Sequence, residues 1–283
     1  MLNPIKLFYK YHSKITLIAL LLTVCFFANA QKLPNKQEVS LRAPAGIRID
    51  GKATEWGNKF QAYNHATEIF YTIANDDGNI YLVVKAIKPD IINKILLGGI
   101  TFTVSSSGKK NDKEGVAVTF PTFYKNKRPY INLKNRPELT KDTMMNKMQA
   151  DSFMRVVNKE LTDKSKEIEI EGVKSIPDSV ISIYNAEGFK AIALFDKQIN
   201  YTSELAIPIK YLGLSIDKPI MFKYNIKLNG ATANGARMKL TNNGKYIIVT
   251  RGNDAAYAIP SSPEYMSYSS STDLSGEYTL AKK

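Results

Sequence analysis

The 283-residue sequence holds one cysteine, Cys25, two histidines, His12 and His65, and one tryptophan, Trp56. Cys25 lies in the apolar opening stretch, so the rest of the chain has no thiol, which excludes disulfides, zinc–thiolate sites and cysteine nucleophiles together. A Ser-His-Asp or Cys-His device needs a base titrating near neutrality beside its nucleophile. Beyond the opening stretch only His65 can supply one, and no spaced partner accompanies it, so it reads as a surface or edge histidine. Zinc hydrolysis, which uses three protein ligands and commonly several histidines, falls away for the same reason. Gly98-Gly99 and Asn234-Gly235 are turn signals without the Gly-x-x-x-x-Gly-Lys spacing of a phosphate loop. Glycoside hydrolysis needs only two carboxylates, but no spacing singles out a pair. The sequence points away from catalysis.

Long apolar runs are equally scarce. Ile15 to Phe27, about 13 residues, is too short for the ~20 that span a bilayer. It follows Lys6, Lys10 and Lys14 and precedes Ala28-Asn29-Ala30, the basic, apolar, small-x-small order of an export signal. Residues 1–30 are therefore expected to be removed between Ala30 and Gln31. Cys25 follows Val24 and precedes two phenylalanines, which argues against lipidation. The expected product is secreted, periplasmic or held at the cell surface, with no transmembrane segment after cleavage. The formal charge of +13 becomes +10 once the three leader lysines are gone. That excess favours acidic partners such as anionic polysaccharide. The small clusters Lys109, Lys110, Lys113 and Lys125, Lys127, Arg128 carry no nucleic-acid motif, so nucleic acid is not an expected partner.

With 44% hydrophobic residues the chain has the composition of an ordinary globular protein. A polar lead-in over 31–45 precedes a single domain over 46–283. Within it the dominant pattern is apolar alternation with period two, punctuated by Gly, Asn, Asp and Pro, which predicts strands and turns. Ile69–Ile73 and Ile80–Lys85 flank Asn75-Asp76-Asp77-Gly78-Asn79, a strong hairpin signal. Further strands are expected over 100–104, 115–120, 167–173, 189–195, 201–207, 220–228, 246–250 and 277–280. In the run from Ile220 to Leu228 the alternation is unbroken, giving one buried and one wetter face. Met144, Met145, Met148, Phe153, Val157 and Leu161 recur at helical spacing, which predicts a helical insertion around 138–166 whose methionines pad a sheet. Ser261 to Ser271 reads as a loop. The pattern predicts an all-β, two-sheet antiparallel β-sandwich, jelly-roll or immunoglobulin-like, with a closed barrel as the alternative.

Sugars offer apolar CH faces to aromatic rings and hydroxyls to amides, carboxylates and guanidinium groups. Phe123, Tyr124, Arg128 and Tyr130 lie together in a polar, Pro-punctuated segment, and Tyr257, Tyr265 and Tyr268 in a second. Tyr124, Arg128, Tyr130 and Tyr257 are the candidate ligand-binding residues. Asp76 and Asp77 read as turn formers first and weak calcium ligands second, because a Ca²⁺ site needs six to eight oxygens. No other cofactor is expected.

The segment Ile47-Arg48-Ile49-Asp50-Gly51-Lys52-Ala53-Thr54-Glu55-Trp56-Gly57, followed by Tyr71 to Lys85 with its Asn75-Asp76-Asp77 turn and Tyr81-Leu82, resembles the opening of family-nine carbohydrate-binding modules and related DOMON-like sandwiches. The resemblance covers about a fifth of the chain beyond the leader. It implies an exported, noncatalytic β-sandwich that binds carbohydrate, with polysaccharide as the expected ligand. It also implies that Trp56 packs into the core beside the hairpin. Family-nine modules grip a sugar between two tryptophans, and with Trp56 the only one that clamp cannot form. Some DOMON-like relatives hold haem through methionine and histidine or lysine; His65 meets that only by composition, and haem is not expected. The alternatives are an envelope module that docks a protein partner and, more remotely, a glycoside-active enzyme.

Overall fold

The computed structural model describes residues 32–106, 115–123, 128–137, 144–218, 220–230, 236–251 and 256–283. Ala30, Gln31 and Tyr124 lie outside the described residues. The main compact unit runs from Pro34 to Lys283. Its architecture is mostly β, arranged as antiparallel sheets, as the alternation predicts.

The first sheet has the strand order β1 (Ala62–Asn64), β2 (Ile69–Asn75), β3 (Asn79–Ala86), β9 (Tyr201–Pro208), β8 (Lys190–Phe195). The second has the order β14 (Thr272–Thr279), β10 (Met221–Leu228), β4 (Ile100–Ser105), β5 (Val116–Thr122), β6 (Glu167–Glu171), β7 (Val180–Ser182). A separate three-stranded sheet, β11 (Ala236–Leu240), β12 (Tyr246–Arg251) and β13 (Tyr257–Pro260), was only partly anticipated. The predicted hairpin is present: Asp76 Oδ1 accepts from the Gly78 and Asn79 amides at 2.7 Å each, and Tyr81 donates its hydroxyl to Asp76 Oδ2 at 2.5 Å. Burial alone would push the Asp76 carboxyl up, but these donors reverse the effect and hold it below its ordinary value.

The two large sheets pack face to face. Ile69, Tyr71 and Ile73, with Ile80, Leu82 and Val84, meet Phe102, Val104, Phe222, Tyr224 and Ile226 in one core. Through it the Tyr71 and Tyr224 hydroxyls bond at 3.0 Å, satisfying two polar groups that would otherwise be costly to bury. Tyr224 lies across Gly276 of the neighbouring strand, where a β-carbon would sit 2.3 Å from the tyrosine oxygen.

Unlike the second sheet, the first is buried on both faces. Leu41, Ala43, Ile47, Ile49, Ala53, Trp56 and Phe60 cover Ala74, Tyr81, Val83 and Ala206 on its outer side. The polar lead-in belongs to this layer: Gln37 bonds both the amide and the carbonyl of Ile73 at 2.7 Å, acting as a one-residue strand. The C-terminal end is tied to the same region. The Tyr278 hydroxyl accepts from the Leu41 amide and donates to the Leu41 carbonyl, 3.0 Å each, and Ala281 bonds the Asn75 side chain.

Three helices among the described residues complete the unit. The first, α1 (Pro89–Gly98), was not anticipated; it starts on a proline suited to a first turn and buries Ile91, Ile92, Ile95 and Leu96. The predicted insertion is α2 (Met144–Lys164), but Met144, Met145 and Met148 do not pad a sheet. Met144, Met145 and Met148 are 80%, 63% and 60% exposed, and Ala150, Val157 and Leu161 make its buried contact instead. The segment read as a loop contains α3 (Pro263–Ser269), which packs on α1. Strand β14 is longer than the alternation suggested, because Asp273, Ser275 and Gly276 hide it. No helix among the described residues is long and apolar enough to cross a membrane.

Candidate binding face and the clamp behind the motif

The outer face of the second sheet is set by register. Strands β4, β10 and β14 turn Ile100, Phe102 and Val104, then Phe222, Tyr224 and Ile226, then Leu274 and Tyr278 inward. Period two therefore turns Thr101, Thr103 and Ser105, then Lys227, Asn225 and Lys223, then Asp273, Ser275 and Glu277 outward. Pairing aligns them in three rungs: Thr101, Lys227 and Asp273; Thr103, Asn225 and Ser275; Ser105, Lys223 and Glu277. Neighbouring groups are about 4.8 Å apart across strands and about 7 Å apart along them.

A groove of about 670 Å³ lies over this array, bordered by all of these residues but Thr101 and also by Lys36. At its centre Asn225 Nδ2 donates to Asp273 Oδ2 at 2.8 Å and to Ser275 Oγ at 3.0 Å, which fixes the amide and leaves its carbonyl oxygen as an acceptor. Lys223 and Lys227 are exposed, and among the described residues neither comes within ion-pair distance of a carboxylate. The α-carbons of Asp273 and Glu277, four residues apart on one strand, stand about 14 Å apart. Paired glycosidase carboxylates stand roughly 5–9.5 Å apart. The groove thus offers hydroxyls, an amide, the carboxylates of Asp273 and Glu277 and the ammonium groups of Lys36, Lys223 and Lys227, a polar surface with a slight cationic excess.

The sequence-predicted residues lie elsewhere. Arg128 and Tyr130 occupy an extended stretch before a 3₁₀ turn at Leu133–Asn135; Arg128 is half-buried and Tyr130 is 87% exposed. Phe123, from the same group, is a core residue. Tyr257 is not in a loop but begins β13 opposite Val249, and is half-exposed. None of the three candidates Arg128, Tyr130 and Tyr257 borders the groove. His65 is exposed with its ring edge-on to Tyr63. Asp77 pairs with Arg42 at 2.9 Å and Lys283 at 3.0 Å, and Asp76 spends its oxygens on the turn. Among the described residues no three histidine, aspartate or glutamate side chains gather as a metal site.

The groove's residues were missed except in one respect. The alternation in 220–228 marked a wetter face on β10, and that face supplies Lys223, Asn225 and Lys227.

The Ile-Asp-Gly and Trp segment has a structural task that involves Glu204. This glutamate is fully buried on β9. Its Oε2 accepts from the Asp50 and Gly51 amides at 2.9 and 2.8 Å, and its Oε1 accepts from Trp56 Nε1 at 3.1 Å. Gly51 has φ +79°, and a β-carbon there would stand 2.8 Å from Leu194. Trp56 packs edge-on against Tyr81 of the hairpin, 6.4 Å between centroids, in agreement with the expected core position. Burial raises the Glu204 carboxyl above its ordinary value, with the Gly51, Asp50 and Trp56 donors opposing the rise. In comparisons with known proteins, no family model, no curated protein and no solved structure matches the chain.

Proposed function

We propose that this is an exported, noncatalytic carbohydrate-binding β-sandwich, and that its ligand is an anionic polysaccharide held on the outer face of the second sheet. The observation that carries this reading is the three-by-three polar array under a 670 Å³ groove, with Lys223 and Lys227 unpaired among the described residues. Protein-binding patches centre on desolvated aromatic or aliphatic anchors; the aromatic bordering this groove, Tyr224, is itself buried, and the other lining residues apart from Gly276 are polar. Sugar hydroxyls match Thr103, Ser105, Asn225 and Ser275, and uronate or sulfate groups match the lysines. The wide spacing of Asp273 and Glu277 favours holding over hydrolysis. The leader sequence supports export, and the resemblance to family-nine modules supports the ligand class.

Binding of the purified protein to a panel of neutral and anionic polysaccharides, at two salt concentrations and with calcium or chelator, tests this. Retention of an anionic polysaccharide that weakens with salt is expected. Lys223→Ala and Lys227→Ala should each weaken it about two- to fivefold, the worth of one exposed ion pair. Binding to none of the panel, or binding indifferent to both substitutions, overturns the proposal.

A further inference from the structure

Helix α2 is held down on one side only. Ala150, Val157 and Leu161 are buried, and Phe153 and Met154 pack partly against the main core. Asn158 ties the helix to β8, accepting from the Phe195 amide at 2.6 Å and donating to the Phe195 carbonyl at 2.9 Å. Successive helical residues turn by about 100°, so these six residues fix a single inner face. The opposite face carries Met145, Met148, Ser152, Val156 and Lys159 along one stripe, with Asp151 and Arg155 on one flank of it. Met145, Met148 and Val156 are 63%, 60% and 65% exposed. A single exposed methionine is ordinary; a row of apolar residues diametrically opposite the buried face is not.

The spacing of the stripe is symmetric about Ser152: Met148 and Val156 lie four residues to either side, Met145 and Lys159 seven. A second copy running antiparallel, related by a twofold axis beside Ser152 and perpendicular to both helices, therefore meets it in register. Ser152 faces Ser152, Met148 faces Val156, and Met145 faces the aliphatic stem of Lys159. Such an axis also brings the same flank of each helix together. Asp151 of each copy then lies beside Arg155 of the other, offset by about 3 Å along the axis, well within the reach of an arginine. Among the described residues neither Asp151 nor Arg155 has an ion-pair partner in its own chain, whereas Lys159 pairs with Asp163. The small Ser152 at the crossing lets the two helices approach to the usual distance of about 8–10 Å.

We propose that the outer face of α2 is a dimerisation surface whose occupant is a second copy of this chain. The two helices join through Met148–Val156 contacts around Ser152 and two reciprocal Asp151–Arg155 pairs. An anionic lipid surface fits less well, because Asp151, Glu160 and Asp163 are interspersed with the cations and the stripe has no aromatic ring. Two helix faces bury less than the ~1,600 Å² of a standard interface, so the pairing is reversible, with a Kd of about 1–100 μM. None of these residues borders the polysaccharide groove, so either proposal can fail alone.

Sedimentation equilibrium of the purified protein from about 1 to 300 μM decides it, with a concentration-dependent monomer–dimer equilibrium expected. Asp151→Arg and Arg155→Asp should each weaken self-association at least about fivefold, because each homodimer then sets like charges against one another at both pairs. Mixed one to one, the two variants should form a heterodimer at least as tight as the original homodimer, since every cross-pair is then opposite in sign. A contact within one chain cannot produce that rescue. Met148→Glu, at an exposed position, should keep the urea midpoint of the original protein and remain monomeric. A protein that is monomeric throughout the range, self-association indifferent to the single substitutions, or variants that fail to pair when mixed each overturn the proposal.

Discussion

Replacing Glu204 by alanine removes the acceptor for three buried donors, the Asp50 and Gly51 amides and the Trp56 indole. Each donor left unsatisfied costs about 1–3 kcal/mol. Part of this is returned, because burial already opposes the carboxylate's charge. A net loss of about 3 kcal/mol follows, roughly 150-fold in the folding constant. Glu204→Gln keeps one acceptor but turns an NH₂ toward an N–H, and should cost about 1–2 kcal/mol. The pH dependence has a definite sign. The folded carboxyl titrates above its ordinary 4.5, so between that value and the raised one the native chain holds a proton the unfolded chain has lost. This group's stability contribution is therefore present below 4.5 and declines as pH rises through the window. Glu204→Gln lacks that slope, so its cost should be greater near pH 4.5 than at pH 8. Urea unfolding followed by tryptophan emission reads this directly, because Trp56 is both the only tryptophan and a partner in the clamp. A loss under about 1 kcal/mol for Glu204→Ala, with Trp56 emission unshifted, would refute the reasoning.

Gly276→Ala places a β-carbon 2.3 Å from the Tyr224 oxygen and should displace that ring from its bond to Tyr71. A loss of about 1–3 kcal/mol is expected from overpacking, seen as a lower urea midpoint with an unchanged slope. Asn158→Ala uncaps the Phe195 amide and carbonyl; about 1–2 kcal/mol should be lost, and hydrogen exchange at the Phe195 amide should speed up.

Much of the sandwich could be read from the sequence because the alternation in β2, β3 and β10 is locally complete and the Asp76 turn is chemically explicit. Helix α1 could not, since Ile91-Ile92-Asn93-Lys94-Ile95-Leu96-Leu97 is too short for its single polar break to separate a helix from a buried strand. The groove was hidden for a different reason. Thr103, Ser105, Asp273 and Ser275 are ordinary surface residues singly, and only the pairing of β4, β10 and β14, with β4 more than a hundred residues from the other two, brings them together. Aromatic rings drew attention to Tyr130 and Tyr257, which stand apart from that face. Glu204 did leave a signal: a lone acid within Tyr201 to Pro208, a strand buried along its whole length, has to meet donors somewhere.

The bonds between Tyr278 and Leu41 join residues 237 positions apart, and β14 forms one wall of the same core that β2 and β3 open. A growing chain can make its first hairpin early and cover part of it with β4 and β10, but the ties to Leu41 and Asn75 wait for the segment around Tyr278. The layer around Leu41 therefore stays untied until β14 has been made. Closure then comes as one late, topologically demanding event with the slow kinetics of distant strand pairing. In the interval a chaperone has unfolded polypeptide to hold, and a nonsense codon ahead of β14 leaves a product that cannot complete its core.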